Sequence, residues 1–267
     1  MSLSRISLLA SALSVAALIG CTSVDTDSNS PSDRTNSTEN TYSIVVGVEN
    51  SSDAGSCPGA LSDSKRMYNL IREYSRSTTL IQDAGATRQR VVEALRKSVQ
   101  DAGDGGLVVF YYSGHGGSSP FPDTGIEETD GKDEFLCLYD TYLRDNEIWG
   151  VISKSKSRVL CIFDCCHSRT CFRSPSFTLS KALPLAATWK EDGPIAMQFW
   201  SGCPDDAYSY GSITGGKFTN TIIKYFKAGI SYDTLWNLVE KDGSLQQYEK
   251  VQRTLMGADF GSLPFLK

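Results

Sequence analysis

Basic residues and histidine are both scarce in this chain. Lys and Arg number 26 against 31 Asp and Glu, and leaving out Arg5, which belongs to the N-terminal segment discussed below, gives a net charge of −6. Nucleic-acid-binding domains concentrate positive charge to contact phosphates, so the composition gives no support to a nucleic-acid partner. The two histidines are His115 and His167, so imidazole chemistry is restricted to these two positions.

The N-terminal apolar run is too short to cross a bilayer. It extends from Ile6 to Ile19, whereas a transmembrane helix needs about 20 apolar residues. We therefore predict a signal peptide over residues 1–20. Its end, Leu18-Ile19-Gly20 before Cys21, resembles the lipobox of bacterial lipoproteins, which implies that Cys21 is lipidated and becomes the mature N terminus.

Residues 21–41 are predicted to form a disordered tether. They are rich in Ser, Thr, Asp and Asn and carry one large aliphatic side chain, Val24, so they cannot bury a core. A lipid on Cys21 anchors a protein without spanning the membrane. The lipoprotein resemblance, with Thr22 rather than an aspartate after the cysteine, implies the outer membrane of the bacterial cell envelope, facing the periplasm. The folded domain is then expected over residues 42–267.

Cysteine spacing indicates neither a disulfide framework nor a zinc site. Seven cysteines remain beyond Cys21, and no Cys-x-x-Cys pair occurs among them. An odd number in an oxidising compartment leaves at least one thiol unpaired. We expect Cys137 and Cys161 to be ordinary buried strand residues.

Short apolar runs alternate with helical patterns along the rest of the chain. The runs are rich in β-branched and aromatic residues, which is typical of an α/β fold with a mostly parallel sheet and helices on both faces. In such sheets, ligands bind beyond the carboxyl ends of the strands. The predicted strands are 43–48, 78–81, 107–112, 135–139, 158–163 and 195–200, and the predicted helices are 62–74, 87–99, 218–226 and 234–239.

Both histidines follow predicted strands. The strand 107–112 leads into Ser113-Gly-His-Gly-Gly117, and the strand 158–163 leads into Asp164-Cys-Cys-His-Ser168. A cysteine becomes nucleophilic when an imidazole close in space accepts its proton. Glycines beside His115 let the backbone approach a substrate carbonyl, so the N–H groups of Gly116 and Cys166 are candidates to stabilise a tetrahedral oxyanion.

These two motifs resemble those of the metacaspase-type caspase-like cysteine peptidases. The resemblance implies a three-layer sandwich with a six-stranded sheet, and a cysteine endopeptidase with Cys166 as nucleophile and His115 as acid/base partner, needing no cofactor for its chemistry. Cys165 is a minority alternative as nucleophile, since its side chain leaves on the other face of an extended strand end. The resemblance covers residues 42–267, with further landmarks at 130–134, 139–140, 145–148, 200–206, 215–219, 252–257 and 263–265.

The same resemblance implies a pocket for the residue before the scissile bond, formed by Asp63, Ser113 and Asp164. Carboxylates at the base of a pocket complement a guanidinium or ammonium group, so cleavage after Arg or Lys is expected. An alternative for Asp63 is that it merely caps its own helix. Helix capping alone does not explain Asp164.

Calcium is a further expectation from the resemblance. Asp133, Asp145 and Asn146 match the family's calcium-binding positions, and oxygen ligands suit this hard cation. Asn146 stands where a second aspartate is usual, and an ordinary solvated acidic loop is the alternative interpretation.

Residues 167–194 are predicted to form a mobile loop and a site of self-cleavage. They lack a strong helical or strand pattern and contain Arg169, Arg173, Lys181 and Lys190. Arg169 also replaces a glycine that is usual in the family, which alters the approach to the site. The expected partners are protein or peptide substrates with Arg or Lys before the scissile bond. We expect a monomer, as is common in this family outside animals.

Three alternatives compete with the peptidase. A catalytically impaired domain of the same fold, tethered to the envelope, would act as a binding or adaptor module, but the presence of both dyad members and the pocket carboxylates argues against it. A phosphate-binding turn at 113–117 lacks the P-loop lysine and a following helix. A metal site built from Cys165, Cys166 and the two histidines is disfavoured because adjacent cysteines rarely bind one ion.

Overall fold

The computed structural model describes residues 40–119, 133–165, 196–202, 211–212, 215–246 and 251–267. The predicted signal peptide, Cys21 and nearly all of the predicted tether lie outside these residues. The strands of the described part are β1 (Thr41–Gly47), β2 (Asn50–Ser51), β3 (Gly55–Ser56), β4 (Ser77–Gln82), β5 (Leu107–Ser113), β6 (Gly116–Ser119), β7 (Asp133–Cys137), β8 (Tyr142–Arg144), β9 (Arg158–Asp164), β10 (Ala196–Ser201), β11 (Gly211–Ser212), β12 (Gly215–Gly216) and β13 (Gln252–Gly257). The α-helices are α1 (Ala60–Ile71), α2 (Arg88–Ala102), α3 (Asp145–Ile152), α4 (Lys217–Tyr225), α5 (Tyr232–Glu240) and α6 (Gly243–Gln246), with 3₁₀ turns at Arg72–Tyr74 and Asp83–Gly85.

Six strands form the central sheet, in the order β13-β10-β9-β5-β1-β4. Five of them are parallel, and only β13 runs antiparallel to its neighbour β10. This arrangement confirms the predicted six-stranded, mostly parallel sheet.

Side chains of the central strands alternate between two apolar layers. All seven residues of β5 are buried: Val108, Phe110 and Tyr112 face one layer, and Val109 and Tyr111 face the other. Successive strand residues point to opposite faces, so a strand covered on both sides is apolar along its whole length. The sandwich therefore has three layers.

Helices cover both faces of the sheet, as predicted. The apolar stripes of α2 and α3 pack on the face that holds Phe110, and those of α1, α4 and α5 pack on the face that holds Tyr111. In α1, Met67 and Ile71 lie one turn apart and are both fully buried. Among the described residues, no helix combines the length and apolar character needed to cross a membrane.

One predicted strand belongs to a different sheet. The run at 135–139 corresponds to β7, which pairs with β6 and β8 in a separate three-stranded antiparallel sheet. The sixth strand of the central sheet is instead β13, a half-exposed edge strand. Its sequence Gln-Arg-Thr-Leu-Met-Gly lacks a continuous apolar run, because an edge strand buries less of its surface.

Candidate active site

Three adjacent parallel strands bring predicted site residues to one edge of the sheet. Ser113 at the end of β5 is in register with Gly47 of β1 and with Asp164 of β9. The N–H of Gly114 donates to the Asp164 carbonyl oxygen over 3.4 Å. Ser113 and Asp164, the first residues of the two motifs noted in the sequence, therefore lie side by side at the end of the sheet.

His115 is held at this edge by its ring and by its backbone. Its Nε2 lies 3.0 Å from the carbonyl oxygen of Ser56. Because a carbonyl oxygen can only accept, Nε2 carries the hydrogen and donates it, which leaves Nδ1 to exchange a proton with a neighbouring group. The N–H of Cys137 donates to the His115 carbonyl oxygen over 2.9 Å, which fixes the backbone from the other side.

A buried tyrosine supports the turn that carries His115. The Tyr112 hydroxyl lies 2.7 Å from the His115 carbonyl oxygen and 2.8 Å from that of Cys137. Burial raises the pKa of Tyr112 well above its usual value, so the hydroxyl stays protonated as a donor. A Cβ atom on Gly114 would lie 2.5 Å from this hydroxyl and 3.0 Å from the Val48 carbonyl oxygen. Only glycine fits at position 114.

Gly116 directs its amide away from the neighbouring strand. Opposed residues of an antiparallel pair alternate between hydrogen-bonded and non-hydrogen-bonded positions. The Cys137-to-His115 bond makes that pair the hydrogen-bonded one, so the next pair, Gly116 and Leu136, is not. The N–H of Gly116 thus points to the side of β6 opposite β7 and is not used in that pairing.

Cys166, the predicted nucleophile, lies outside the described residues, as does His167. The described part of β9 and its extension ends at Cys165, which is 1% exposed and packs in the apolar layer that contains Phe163. A thiol buried among apolar side chains is not accessible to a peptide. This burial counts against Cys165 both as nucleophile and as a metal ligand. Cys137 and Cys161 are also buried, as expected.

Asp63 projects from α1 towards the end of β5 and is 1% exposed. Its Oδ2 accepts from the Gly216 N–H at 2.7 Å and from the Ser113 hydroxyl at 3.3 Å. Its Oδ1 accepts from an Arg66 amino group at 2.5 Å. Helix capping is the wrong explanation for Asp63, because the N-cap of α1 is Gly59 and makes no side-chain capping bond.

Asp164 is the second buried carboxylate of this cluster, at 4% exposure. Its Oδ2 accepts from the N–H of Thr219 at 3.0 Å and from the Thr219 hydroxyl at 2.7 Å. The same hydroxyl lies 2.6 Å from the Tyr111 hydroxyl. Burial, and then the charges of Asp63 and Asp164, raise the pKa of Tyr111 well above its usual value.

The Asp164 carboxylate affects the ionisation of Asp63. Burial first, and the Asp164 carboxylate second, raise the pKa of Asp63 to about 7. The Gly216 N–H and the Arg66 guanidinium act in the opposite direction, because both stabilise the ionised form. Burial and the neighbouring charge therefore disfavour the ionised form of Asp63.

Two consecutive glycines pack directly against this pair of carboxylates. A Cβ atom on Gly215 would lie 2.0 Å from Asp63 Oδ1, and one on Gly216 would lie 2.2 Å from Asp164 Oδ2. Gly215 also has a φ of +98°, a backbone region that side chains disfavour. The glycines allow the chain before α4 to approach both carboxylates.

Asp63, Ser113 and Asp164, which were predicted to form the pocket, thus lie together. Sequence reasoning missed Arg66, Ser56 and the Thr219 donors. Thr219 lies in the segment 215–219, which resembles a family landmark, but the sequence assigned no role to this residue. Ser56 contributes only its carbonyl oxygen, which any residue type carries, so its identity gives no signal in the sequence.

The predicted calcium positions are only partly described. Asp145 and Asn146 open α3, and the Asn146 N–H donates to Asp145 Oδ1 at 2.7 Å. Consecutive helix residues point about 100° apart, so these two side chains leave the start of α3 in different directions. Asp133 begins β7, and its side chain lies outside the part of the chain that the structure describes. No group of three His, Cys, Asp or Glu side chains able to hold a metal occurs within the described ranges.

The sheet order, the helices on both faces and the buried acidic cluster beyond β5 and β9 define an α/β domain of the caspase class. The family model described as "Caspase domain" matches residues 41–256, and the chain belongs to that family. Metacaspase-1 of Sclerotinia sclerotiorum is 26% identical over 220 residues, covering 76% of this chain and 49% of that protein. Metacaspase-1A of Aspergillus oryzae is 23% identical over 210 residues, covering 72% and 48%. The chain spans about half the length of these curated relatives.

Solved structures show the same fold. A protein of Geobacter sulfurreducens superposes with a TM-score of 0.63 at 23% identity, covering 85% of this chain and 98% of that one. Caspase-1 of Spodoptera frugiperda gives a TM-score of 0.52 at 14% identity, covering 83% and 88%. The predicted caspase-like fold is confirmed.

Proposed function

We propose that the protein is a cysteine endopeptidase in which Cys166 attacks the peptide carbonyl and His115 exchanges the proton. The observation that carries the proposal is the placement of His115. Its ring is fixed by the hydrogen bond from Nε2 to the Ser56 carbonyl oxygen. His115 follows β5, and β5 pairs with β9, the strand that precedes Cys166 in the sequence. Membership of the caspase family supports the same chemistry.

The proposed reaction has two stages. The Cys166 thiolate forms a bond to the carbonyl carbon, and the negative charge on the carbonyl oxygen is stabilised by the N–H groups of Gly116 and Cys166. The His115 imidazolium then gives its proton to the leaving amine as the C–N bond breaks. Water hydrolyses the thioester with His115 as base, which releases the acid and restores the thiol.

We propose that the protein cleaves after Arg or Lys. Asp63 and Asp164 place two carboxylates within one buried cluster, with Ser113 beside them. The half-exposed guanidinium of Arg66 pairs with Asp63 and offsets part of this charge. A second cation that reaches the cluster still gains a favourable interaction, because the cluster holds two carboxylates and one guanidinium. Protein or peptide substrates with a basic residue before the scissile bond follow from this chemistry.

The test is hydrolysis of fluorogenic peptides that end in Arg, Lys or Asp by the purified protein. We expect turnover of the Arg and Lys peptides, loss of all turnover in Cys166→Ala, and near-parental turnover in Cys165→Ala, whose side chain is buried in the core. Absence of turnover by folded protein would instead favour the tethered binding module. Preference for the Asp peptide would contradict the pocket.

Calcium stimulation and self-processing are separate parts of the proposal. Asp133, Asp145 and Asn146 are the proposed calcium ligands. Peptide hydrolysis measured with added calcium and with a chelator tests whether calcium stimulates the enzyme. For self-processing, we expect the active protein to cleave itself within 167–194 on incubation. Cys166→Ala stays intact under the same conditions. An intact single band from active protein contradicts this part of the proposal.

We also propose that the domain is monomeric and held at the outer membrane by a lipid on Cys21. The proposal rests on the lipobox resemblance of the segment that ends at Cys21.

A further inference from the structure

The carbonyl that accepts from His115 belongs to a peptide group with a second hydrogen bond. The Ser56–Cys57 peptide presents its oxygen to His115 Nε2 at 3.0 Å. On its other side, the N–H of Cys57 donates to the carbonyl oxygen of Glu49 at 2.7 Å. A peptide group whose N–H donates carries more negative charge on its oxygen, because hydrogen bonds in a chain polarise one another.

The next peptide group repeats the pattern and ends on a carboxylate. The Glu49–Asn50 peptide accepts from Cys57 through its oxygen, and its N–H donates to Asp83 Oδ1 at 3.1 Å. A continuous line of hydrogen bonds therefore runs from the Asp83 carboxylate through two peptide groups to the imidazole of His115. Every N–H in the line points towards Asp83, so the dipoles are aligned.

Asp83 is fixed at the far end of this line. Its Oδ1 also accepts from the Glu49 N–H at 2.8 Å, and its Oδ2 accepts from Asn50 Nδ2 at 2.9 Å. Its φ of +39° is unusual for a residue with a side chain. A strained backbone at a residue with three hydrogen bonds to one loop indicates a constraint imposed by that loop.

We propose that Asp83 is a positioning residue for His115, which holds and polarises the Ser56 carbonyl through the two intervening peptide groups. The ionised carboxylate favours the positive form of the imidazole, and it keeps Nδ1 turned towards the reacting thiol. This inference rests on the proposed peptidase function. Asp83 follows β4, which two strands separate from β9 in the sheet.

The substitution Asp83→Asn separates charge from shape. Asparagine tolerates a positive φ as aspartate does, and its carbonyl oxygen still accepts from the loop, but it carries no charge. Asp53→Asn is the matched control, because Asp53 is exposed in the turn between β2 and β3 and its carboxylate accepts from neither peptide of the line. Asp83→Gly is a second variant, which suits the backbone conformation and removes every acceptor.

The first readout is an NMR titration of the His115 imidazole in the Cys166→Ala background, with His167→Gln to assign the two histidine signals. We expect the midpoint to move to lower pH by about half a unit in Asp83→Asn, further in Asp83→Gly, and not in Asp53→Asn. The second readout is peptide hydrolysis, in which Asp83→Asn lowers kcat about fivefold with KM unchanged.

An unchanged His115 midpoint in both Asp83 variants overturns the inference, and so does an equal shift in Asp53→Asn. A loss seen in KM alone also overturns it, because such a loss places Asp83 in substrate binding. If the parent protein hydrolyses no peptide, the proposed function fails, while the imidazole titration still decides the part played by Asp83.

Discussion

At the scale of single residues, the site depends on how two buried carboxylates share a small space. Asp63 accepts from a backbone N–H, a hydroxyl and a guanidinium, and Asp164 accepts from both donors of Thr219. These donors offset the cost of burial. They do not abolish the repulsion, which helps to raise the pKa of Asp63 to about 7.

Recognition of a cationic substrate should therefore depend on pH through Asp63. The pKa of Asp63 is raised above its usual value, so the carboxyl is neutral below about pH 7 and ionised above it. We expect the ratio of kcat/KM for an arginyl peptide to that for its neutral citrulline analogue to rise as the pH passes through about 7. Dyad titration affects both peptides equally and cancels in the ratio. In Asp63→Asn the ratio should be low and flat, and a pH-independent ratio in the parent contradicts the assignment.

The hydroxyl of Thr219 should contribute to stability as well as to the site. Thr219→Val keeps the shape but removes one of the two Thr219 donors to the buried Asp164 carboxylate, and we expect a loss of about 1–3 kcal/mol in urea unfolding at neutral pH. Thr221→Val is the control, because its hydroxyl bonds only within α4 to the Lys217 carbonyl oxygen. Equal losses in the two variants would show that the hydrogen bond to Asp164 adds nothing to the free energy of unfolding.

At the scale of elements, the ends of β5 and β9 were predictable and the surroundings were not. β5 is apolar from Leu107 to Tyr112 because both of its faces are covered, and the polar motif that begins at Ser113 marks its end. The donors around Asp63 come from α1 and from β12, which is 153 positions away in the chain. No local pattern predicts such a contact. β13 escaped prediction because an edge strand with one exposed side carries a mixed sequence.

The approach of β12 to the pocket gives a prediction for this element. Gly216 has φ −70° and ψ 145°, which alanine adopts freely, so any effect of Gly216→Ala is steric. Its Cβ would meet Asp164 Oδ2. We expect a raised KM for Arg peptides and a loss of about 1–3 kcal/mol in stability.

The matched control for Gly216→Ala is Gly150→Ala in α3, where nothing lies within 4 Å of the added atom. That change should leave activity unaltered and raise stability by about 0.5–1 kcal/mol, as alanine does in a helix. Unchanged KM and stability in Gly216→Ala would show that the two carboxylates tolerate a wider gap.

At the scale of the whole molecule, the family domain is joined to an N-terminal segment with a different expected role. The family match begins at residue 41, where β1 starts, and the predicted lipobox ends at Cys21, so the polar residues between them would separate lipid from domain. Such a tether lets the peptidase reach substrates near the membrane surface without fixing its orientation.

If Cys21 carries a lipid anchor, the protein is bound to the membrane and a single substitution at this cysteine should release it. In Cys21→Ser, we expect the chain to lose incorporation of labelled fatty acid and to leave the outer-membrane fraction, while peptide hydrolysis by the released protein stays at the parental level. The control is Cys57→Ser, which keeps the lipobox. Labelling that persists in Cys21→Ser rules out lipidation at this cysteine.

In the proposed mechanism, His115 activates Cys166 as the nucleophile, and a basic side chain of the substrate directs it to the scissile bond. The most direct test is mass spectrometry of the purified protein after reaction with peptidyl chloromethyl ketones that end in Arg or in Asp. We expect a single adduct on Cys166 with the arginyl reagent, formed far more slowly in His115→Ala and with the aspartyl reagent. An adduct on another cysteine, or preference for the aspartyl reagent, would contradict it.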